Sequence, residues 1–367
     1  MAGNLATKLS EFYRNRRVLV TGHTGFKGSW LSLWLHRMGA EVFGIGLPPN
    51  SPLSLYSACG LEKLMRSEFI DIRDLTALEK SITDFRPEVV IHLAAQAIVG
   101  VSYEDPVGTM STNVLGTVHV LECVRRTPSV TAAVMITSDK AYENIEQIWG
   151  YRETDRLGGD DPYSASKGCA ELAIKTYARS YFSKDGTPSV ASTRAGNVVG
   201  GGDFSRFRLV PDCIRSLRAN EPIVIRNPAA TRPWQFVLDP LAGYLILGRK
   251  LVERGKQFAG SFNFGPPGDN TNNVEQGTRE IMSAWGGGEM RVTPSDLFHE
   301  NKLLQLDSTK AREVLRWRTL LDFSSTMRTT AEWYKAQHEM GDGNMLAFSN
   351  DQLTQFERRM NAELPDE

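Results

Sequence analysis

Two short stretches hold residue types that can move a proton. In Tyr163-Ser164-Ala165-Ser166-Lys167 a phenol and an ammonium stand four residues apart, which on a helix places them on one face. An ammonium beside a phenol favours the phenolate and can also hold the ribose of a nicotinamide nucleotide. The pair is therefore suited to taking a proton from an alcohol whose carbon is being oxidised. With ten tyrosines in the chain the spacing can also arise by chance; its place just after Asp161-Pro162, a helix-opening pair, gives it weight. The second stretch is Ser138-Asp139-Lys140, directly after the apolar run Ala132 to Thr137, which reads as a strand. Carboxyl ends of parallel strands face the reaction crevice, so these side chains can converge with Tyr163 and Lys167 on a bound sugar. The plainer alternative is a capped loop with Asp139 and Lys140 paired on the surface.

A third stretch binds rather than reacts. Thr21-Gly22-His23-Thr24-Gly25-Phe26-Lys27-Gly28 follows the strand-like run Arg17 to Val20 and leads into a helix with Leu31, Trp34, Leu35 and Met38 on one face. Strand, glycine turn and helix start together let a backbone approach a dinucleotide diphosphate and offer it free N–H groups. Gly22, Thr24, Gly25, Phe26, Lys27 and Gly28 form this expected cofactor loop, in which Lys27 need not touch the cofactor and can simply face water. The acid that usually clamps the adenine ribose is missing, since Gly44-Ile45-Gly46-Leu47-Pro48-Pro49 stands at the end of the second strand. No arginine lies beside it for a 2'-phosphate, so the residues alone leave NAD against NADP open. Asp71-Ile72, after the third strand, is the expected adenine holder, with a solvated strand end as the competing reading. Leu93, Ala94 and Ala95, after the fourth, complete the expected cofactor wall.

These positions need a scaffold, and the chain supplies an alternation of elements. Strands are expected at Arg17 to Val20, Glu41 to Gly46, Glu68 to Ile70, Val89 to Leu93, Ala132 to Thr137 and Ser189 to Arg194. Helices are expected over Leu75 to Phe85, Val107 to Arg125 and from Tyr163. Apolar strands separated by helices predict an α/β fold, a Rossmann-like doubly wound parallel sheet. Beyond Gly200-Gly201-Gly202 the elements shorten, predicting a smaller C-terminal substrate-binding α/β cap. The expected division is a nucleotide domain over 14–200 with a return segment at 232–258, a substrate domain over 201–231 and 259–340, and a loose polar tail over 341–367. Late helices are expected at Ser308 to Leu315 and Phe323 to His338, opened by Ser308 and Asp322 as caps.

Composition narrows the class. A chain of 367 residues with 41% hydrophobic and 23% charged residues is neither disordered nor fibrous. Lys+Arg 42 against Asp+Glu 43 gives no basic excess, so neither nucleic acid nor an anionic membrane surface is an expected partner. The four cysteines are scattered and the N-terminus lacks an apolar signal region, in keeping with a reduced, cytoplasmic protein. The six histidines have no metal-ligand spacing, so no metal is expected, and His92 reads as a strand-end histidine satisfied within the protein.

Taken together, the motifs resemble the extended short-chain dehydrogenase/reductase family of NAD-dependent epimerases and dehydratases, and within it the nucleotide-sugar 4,6-dehydratases. The likeness covers most of the chain: GHTGFKGSW from Gly22, HLAAQ from His92, TNVLGT from Thr112, TSDKAYEN from Thr137, YSASK from Tyr163, RAGNVVGGGD from Arg194 and RPWQFVLD from Arg232. Many relatives carry Asp-Glu where Asp139-Lys140 stands. The Asp-Lys form, WGYRETDRLGGDDPYSASKGCAEL from Trp149 and HENKLLQLDSTKA from His299 look most like the branch acting on CDP-hexoses. The resemblance implies NAD+ as cofactor and CDP-D-glucose as substrate. It implies oxidation at C4, loss of water across C5 and C6, and return of the electron pair to C6.

On the same grounds Tyr163 takes the 4-OH proton with Lys167 beside it, Ser138 hydrogen-bonds the sugar 4-oxygen, and Asp139 is the acid at the C6 hydroxyl. Lys140 occupies the place of the usual C5 base. A neutral lysine can take that proton and a charged one can stabilise the enolate, and both roles stay open. Arg232 is the expected diphosphate contact through its guanidinium fork, a surface pair with Asp239 or another acid being the alternative. Asn197 is expected at the first phosphate or its sugar. Arg206 and Arg208 are weaker substrate candidates, because a basic pair so often faces solvent, and Asn113 is expected to brace the pocket. A 4-epimerase is the enzymatic alternative, yet it has no need of an acid at C6. A non-catalytic nucleotide-binding regulator is expected to have lost Tyr163 or Lys167, and both are intact. The resemblance also implies a homodimer built on the helices near Val107 to Arg125 and Tyr163 to Tyr181, with a tetramer open, and a product used for deoxysugars of a bacterial surface glycan such as an O-antigen.

Overall fold

Val18-Leu19-Val20, Val89-Val90-Ile91 and Ala133-Val134-Met135 are apolar at every position because side chains alternate between two covered faces of one sheet. Val18, Val20, Val89, Ile91 and Val134 pack into the larger core on one face, and Leu19, Val90, Ala133 and Met135 into the core on the other. The computed structural model describes residues 4–268, 272–293, 303–341 and 345–364. Its main sheet has strands β1 (Arg17–Thr21), β2 (Glu41–Gly46), β3 (Arg66–Phe69), β4 (Val89–His92), β5 (Ala132–Ile136), β6 (Ser189–Ala195) and β7 (Gly260–Phe264). They run in the order β7-β6-β5-β4-β1-β2-β3, and every pairing is parallel. This is the doubly wound fold expected from the alternation, with the strand order reversing between β1 and β4, where such folds open their ligand crevice.

Local signals set most element bounds. Asp74 caps the helix Leu75–Phe85 by accepting from the Ala77 amide, and Asp161 caps Pro162–Ser180 by accepting from the Ser164 amide, as side-chain oxygens at helix starts do. The helix expected over Val107 to Arg125 runs from Pro106 to Arg126 but widens into a π turn at Ser111–Leu115. Such turns gather at functional sites, and this one carries Asn113. Asp322 caps Phe323–Met340 as expected. Ser308 does not cap with its side chain; its Oγ accepts from the Gly265 amide at 2.9 Å instead. Two small parallel pairs, Ile223–Ile225 with Met290–Val292 and Val198–Val199 with Gln235–Phe236, belong to the region beyond β6.

Two expectations are corrected. Phe262 to Phe264, assigned above to the substrate domain, lie in β7, the edge strand of the main sheet paired to β6. The tail is not a loose polar end, because Met345–Glu363 is a helix burying Met345, Leu353, Phe356 and Met360. The polar N-terminus likewise holds a helix, Leu5–Tyr13, with Leu5, Leu9 and Tyr13 buried. The two terminal helices pack together, and Ala6 N donates to Asn361 Oδ1 at 2.9 Å. Each reads as polar because one narrow apolar stripe is diluted by charges on the remaining faces. Phe356 is the centre of the terminal packing, edge-on to Trp34 at 5.8 Å and 6.2 Å from Phe236. Phe356→Ala is expected to cost ~3–5 kcal/mol of stability, as phenylalanine truncations in cores do. Denaturant melts measure this, and an unchanged midpoint would show that the helix contributes no packing.

Candidate active site

The cofactor end is built by close backbone approach. Gly22 has φ +74, and a Cβ there would lie 2.7 Å from Ala94 N; one at Gly28 would lie 2.0 Å from Gly22 O. Only glycine fits either place. Thr21 ties β1 to β4: Leu93 N donates to Thr21 O at 3.1 Å, and Thr21 Oγ1 is 2.7 Å from His92 Nδ1. His92 Nε2 meets Thr117 Oγ1 at 3.2 Å, so the histidine is satisfied internally as expected. Burial holds its imidazole neutral, pulling it down to about 3. Gly25, exposed, opens the helix Phe26–Arg37 with no side-chain cap. The first amides of that helix are thus left to an anion, and this glycine cradle with an uncapped helix start fits a dinucleotide diphosphate. Thr24 Oγ1 donates to Leu47 O at 2.7 Å, Phe26 reaches Gly200, and Ala95 is half-buried.

At the end of β2, where the acid is missing, the imidazole of His23 fills the space. A Cβ at Gly44 would lie 2.3 Å from the His23 ring, and His23 Nε2 contacts Ser67 Oγ at 2.5 Å. Burial draws this histidine down to about 4. The two glycines of β2 facing a histidine in the loop are the signal that could have found it. Asp71 is neither a free adenine clamp nor simply solvated: its carboxylate takes a bidentate pair from Arg73, Nε to Oδ1 at 3.0 Å and Nη2 to Oδ2 at 2.6 Å, which holds it below the usual carboxylate range. Ile72 is buried.

The proton-moving residues do converge. Ser138 Oγ donates to Asp139 Oδ1 at 2.9 Å, and the Lys140 amide donates to the same oxygen at 2.9 Å. Ser138 also lies against the Tyr163 phenol, and Lys167 Nζ stands 5.8 Å from the Tyr163 ring centre. The surface-pair alternative fails for Asp139, which is 6% exposed. Burial raises its carboxyl against the pull of Lys140 and Ser138. Burial also pushes Tyr163 up to about 12, opposed by Ser138. Lys167 is drawn down to about 7 by burial and by Lys27, and Glu171 opposes this. Phenolate formation is thus not set by the i, i+4 lysine alone, since desolvation outweighs it in the protein by itself.

Lys27 corrects the expectation that it faces water. Its ammonium lies 5.9 Å over the Tyr244 ring and feels Arg208 and Asp139, with burial bringing it down to about 8. It is a cation of the crevice floor. Arg208 also turns inward, pairing with the buried Asp203 at 2.6 Å, and its charge reaches Tyr163. Arg206 stays exposed, stacked on Phe207 at 5.0 Å. Asn197 is exposed on the loop after β6. Its carbonyl accepts from the Gln235 amide.

Arg232 lines a small crevice with Pro233, Leu303, Leu304 and Gln305, and its Nη1 donates to Thr231 O at 2.7 Å. The alternative partner Asp239 is fully buried and accepts from the Leu320 amide instead. Asn113 braces the pocket as expected: its side chain bonds both Gln96 N and Gln96 O, and reaches Ser166 Oγ at 2.8 Å. Sequence reasoning missed Gly196, where a Cβ would come within 3.0 Å of Asp139 Oδ2. His299 and Glu300 lie outside the described residues.

Comparisons with known proteins fit this geometry. A family model described as GDP-mannose 4,6 dehydratase matches residues 19–330. A CDP-glucose 4,6-dehydratase of Salmonella typhimurium is 45% identical over 330 residues, covering 89% of this chain and 92% of that protein. A Thermus thermophilus UDP-glucose 4-epimerase solved with NAD is 26% identical at a TM-score of 0.73, covering 87% of this chain and 99% of that one. A dTDP-glucose 4,6-dehydratase of Streptomyces venezuelae, solved with NAD bound, shares the fold at a TM-score of 0.75 and 22% identity, covering 88% and 98%. With the glycine cradle at the β1/β4 switch and Tyr163, Lys167 and Asp139 gathered above it, this chain belongs to the GDP-mannose 4,6-dehydratase family of extended short-chain dehydrogenases/reductases.

Proposed function

We propose that the chain dehydrates CDP-D-glucose to CDP-4-dehydro-6-deoxy-D-glucose with NAD+ as a recycled cofactor. The observation that carries this reading is Asp139, a buried carboxyl raised towards its acid form beside Tyr163 and Lys140. Water loss at C6 needs such an acid, and direct C4 epimerisation does not. The relative of Salmonella typhimurium, at 45% identity, supports the CDP-sugar.

The glycine loop, Leu93 to Ala95 and Lys167 would hold the cofactor, which would supply a hydride acceptor for C4 and a hydride donor for C6. Tyr163 takes the 4-OH proton while Ser138 steadies the 4-oxygen. Ketone formation at C4 acidifies C5, and Lys140 removes that proton or stabilises the resulting enolate. Asp139 then donates its proton to the departing C6 hydroxyl. Arg232 forks the substrate diphosphate, with Asn197 beside it and the inward Arg208 nearer the sugar than Arg206. Asp71, with Ile72, borders the adenine.

A homodimer is supported by Val107, Leu115 and Leu172, which are 78, 47 and 52% exposed on the two helices expected to pair. A cytoplasmic site, without nucleic-acid or membrane partners, is in keeping with free cysteines at 59, 123, 169 and 213 and balanced charge. No described helix is long and apolar enough to cross a membrane. The test is to incubate the protein and NAD+ separately with CDP-, dTDP-, GDP- and UDP-glucose and identify products by mass and NMR. Loss of one water from CDP-glucose alone is the expected result; an equal-mass isomer means epimerisation. In the same assay Arg232→Ala is expected to weaken CDP-sugar binding by on the order of tenfold or more, the scale of a lost charged hydrogen-bond pair, with the thermal midpoint unchanged.

A further inference from the structure

Behind the crevice lies a buried ion pair that the proton chemistry leaves unused. Glu171 and Arg194 are each 2% exposed and meet at 2.7 Å. Glu171 follows Tyr163 and Lys167 at the same spacing on one helix, so all three share a face. Its carboxylate also accepts from Thr137 Oγ1 at 2.5 Å and from Ser192 Oγ at 2.8 Å. The other arm of the Arg194 fork, Nη1, donates to Tyr142 OH at 2.7 Å, and that hydroxyl donates to Asn263 Oδ1 at 2.8 Å. Arg194 and Asn263 are themselves register partners across β6 and β7.

The arrangement has a particular consequence. Thr137 immediately precedes Ser138-Asp139-Lys140, and Tyr142 ends the short turn that contains Asp139 and Lys140. The two ends of the loop proposed to eliminate water are therefore clamped to one guanidinium and one carboxylate. The same carboxylate belongs to the helix that presents Tyr163 and Lys167. A planar fork with fixed donors suits such a task, because holding one arm fixes the other. Burial makes the pair costly to keep for stability alone.

We infer that Glu171, Arg194 and Tyr142 are positioning residues that hold the Ser138–Lys140 loop in register with the Tyr163 helix, so that a sugar oxidised at C4 is committed to losing water. The inference rests on the function proposed above. In the coupled sequence the C4–H bond gives its electron pair to NAD+ and O4 gives its proton to Tyr163. The C5 proton and the C6 hydroxyl then leave as water, the C4 hydride returns to C6, and a proton matching the one taken from O4 is restored at C5. A loosened loop interrupts this after the first stage, leaving a 4-keto hexose that has lost two hydrogens and no water.

Tyr142→Phe removes one hydroxyl and leaves the ion pair; Glu171→Gln removes the charge and keeps the shape. Two readouts are taken, hydrogen exchange of the 138–143 amides in the ligand-free protein, and the partition of converted CDP-glucose between the 4-keto hexose and the dehydrated product with NAD+ in excess. Both variants are expected to speed loop exchange and to raise the 4-keto share by about tenfold or more, since a misplacement of ~1 Å costs on the order of 100-fold in rate. Lower turnover with unchanged partition and unchanged exchange overturns the inference, as that is what a merely structural role produces. If Glu171→Gln fails to fold, Tyr142→Phe decides. If the unaltered protein converts no CDP-glucose, the proposed function fails, while the exchange readout still tests the clamp.

Discussion

Tyr163→Phe is expected to lower kcat on the nucleotide sugar by ~10²–10⁴, the range that a positioned proton acceptor contributes, with little change in substrate affinity. The phenol is 7% exposed, so the phenylalanine ring fills the same space and the loss isolates one oxygen. That oxygen is raised to about 12 by burial, while Ser138 and the Arg208 charge pull the other way. A phenol so placed accepts a proton well only within its assembled surroundings. Steady-state kinetics with calorimetric binding of the sugar nucleotide measure both quantities. A kcat within tenfold of the unaltered protein would remove Tyr163 from the reaction.

Asp139→Asn is expected to lower water loss by a similar ~10²–10⁴, but at a different stage. The amide keeps the volume and can still accept from Ser138 and the Lys140 amide, whereas it cannot donate an acidic proton to the C6 oxygen. C4 oxidation and exchange of the C5 hydrogen with solvent are expected to persist, and these are read by isotope incorporation into recovered sugar. The pH dependence has a definite sign. Desolvation raises Asp139, so its acid form survives to higher pH than an ordinary carboxyl. Turnover then falls as pH rises through that raised value, and this limb is absent in Asp139→Asn. Water loss retained within tenfold would assign the acid elsewhere.

Much of this molecule is legible along the chain because the interactions responsible are local. Glycine at position 28 is forced by its approach to the Gly22 carbonyl within one turn, and glycine at 22 is favoured locally by its positive φ. The helix of Tyr163 opens on the Asp161 cap, so the i, i+4 face follows from helical geometry alone. Unbroken apolar runs betray strands covered on both faces, and they yield the parallel sheet before any contact is known. The terminal helices show the limit: each has an apolar stripe too narrow to stand out until the other helix and Trp34 are placed against it.

Direction and partnership were decided only in three dimensions. Lys27 reads as a solvated lysine, yet the helix start aims it beneath the crevice, where it feels Asp139 and Arg208. Arg208 reads as half of a solvent-facing basic pair, yet Asp203 turns it inward. Glu171 and Arg194 lie on different elements, and nothing in the spacing of either announces that they meet. Apart from the terminal helices, the chain's local order shows which backbones turn, coil or extend, because those choices depend on neighbours a few residues away. The tertiary structure decided which charges are buried and whom they face, because desolvation and Coulomb energy depend on groups that only folding brings within a few ångströms.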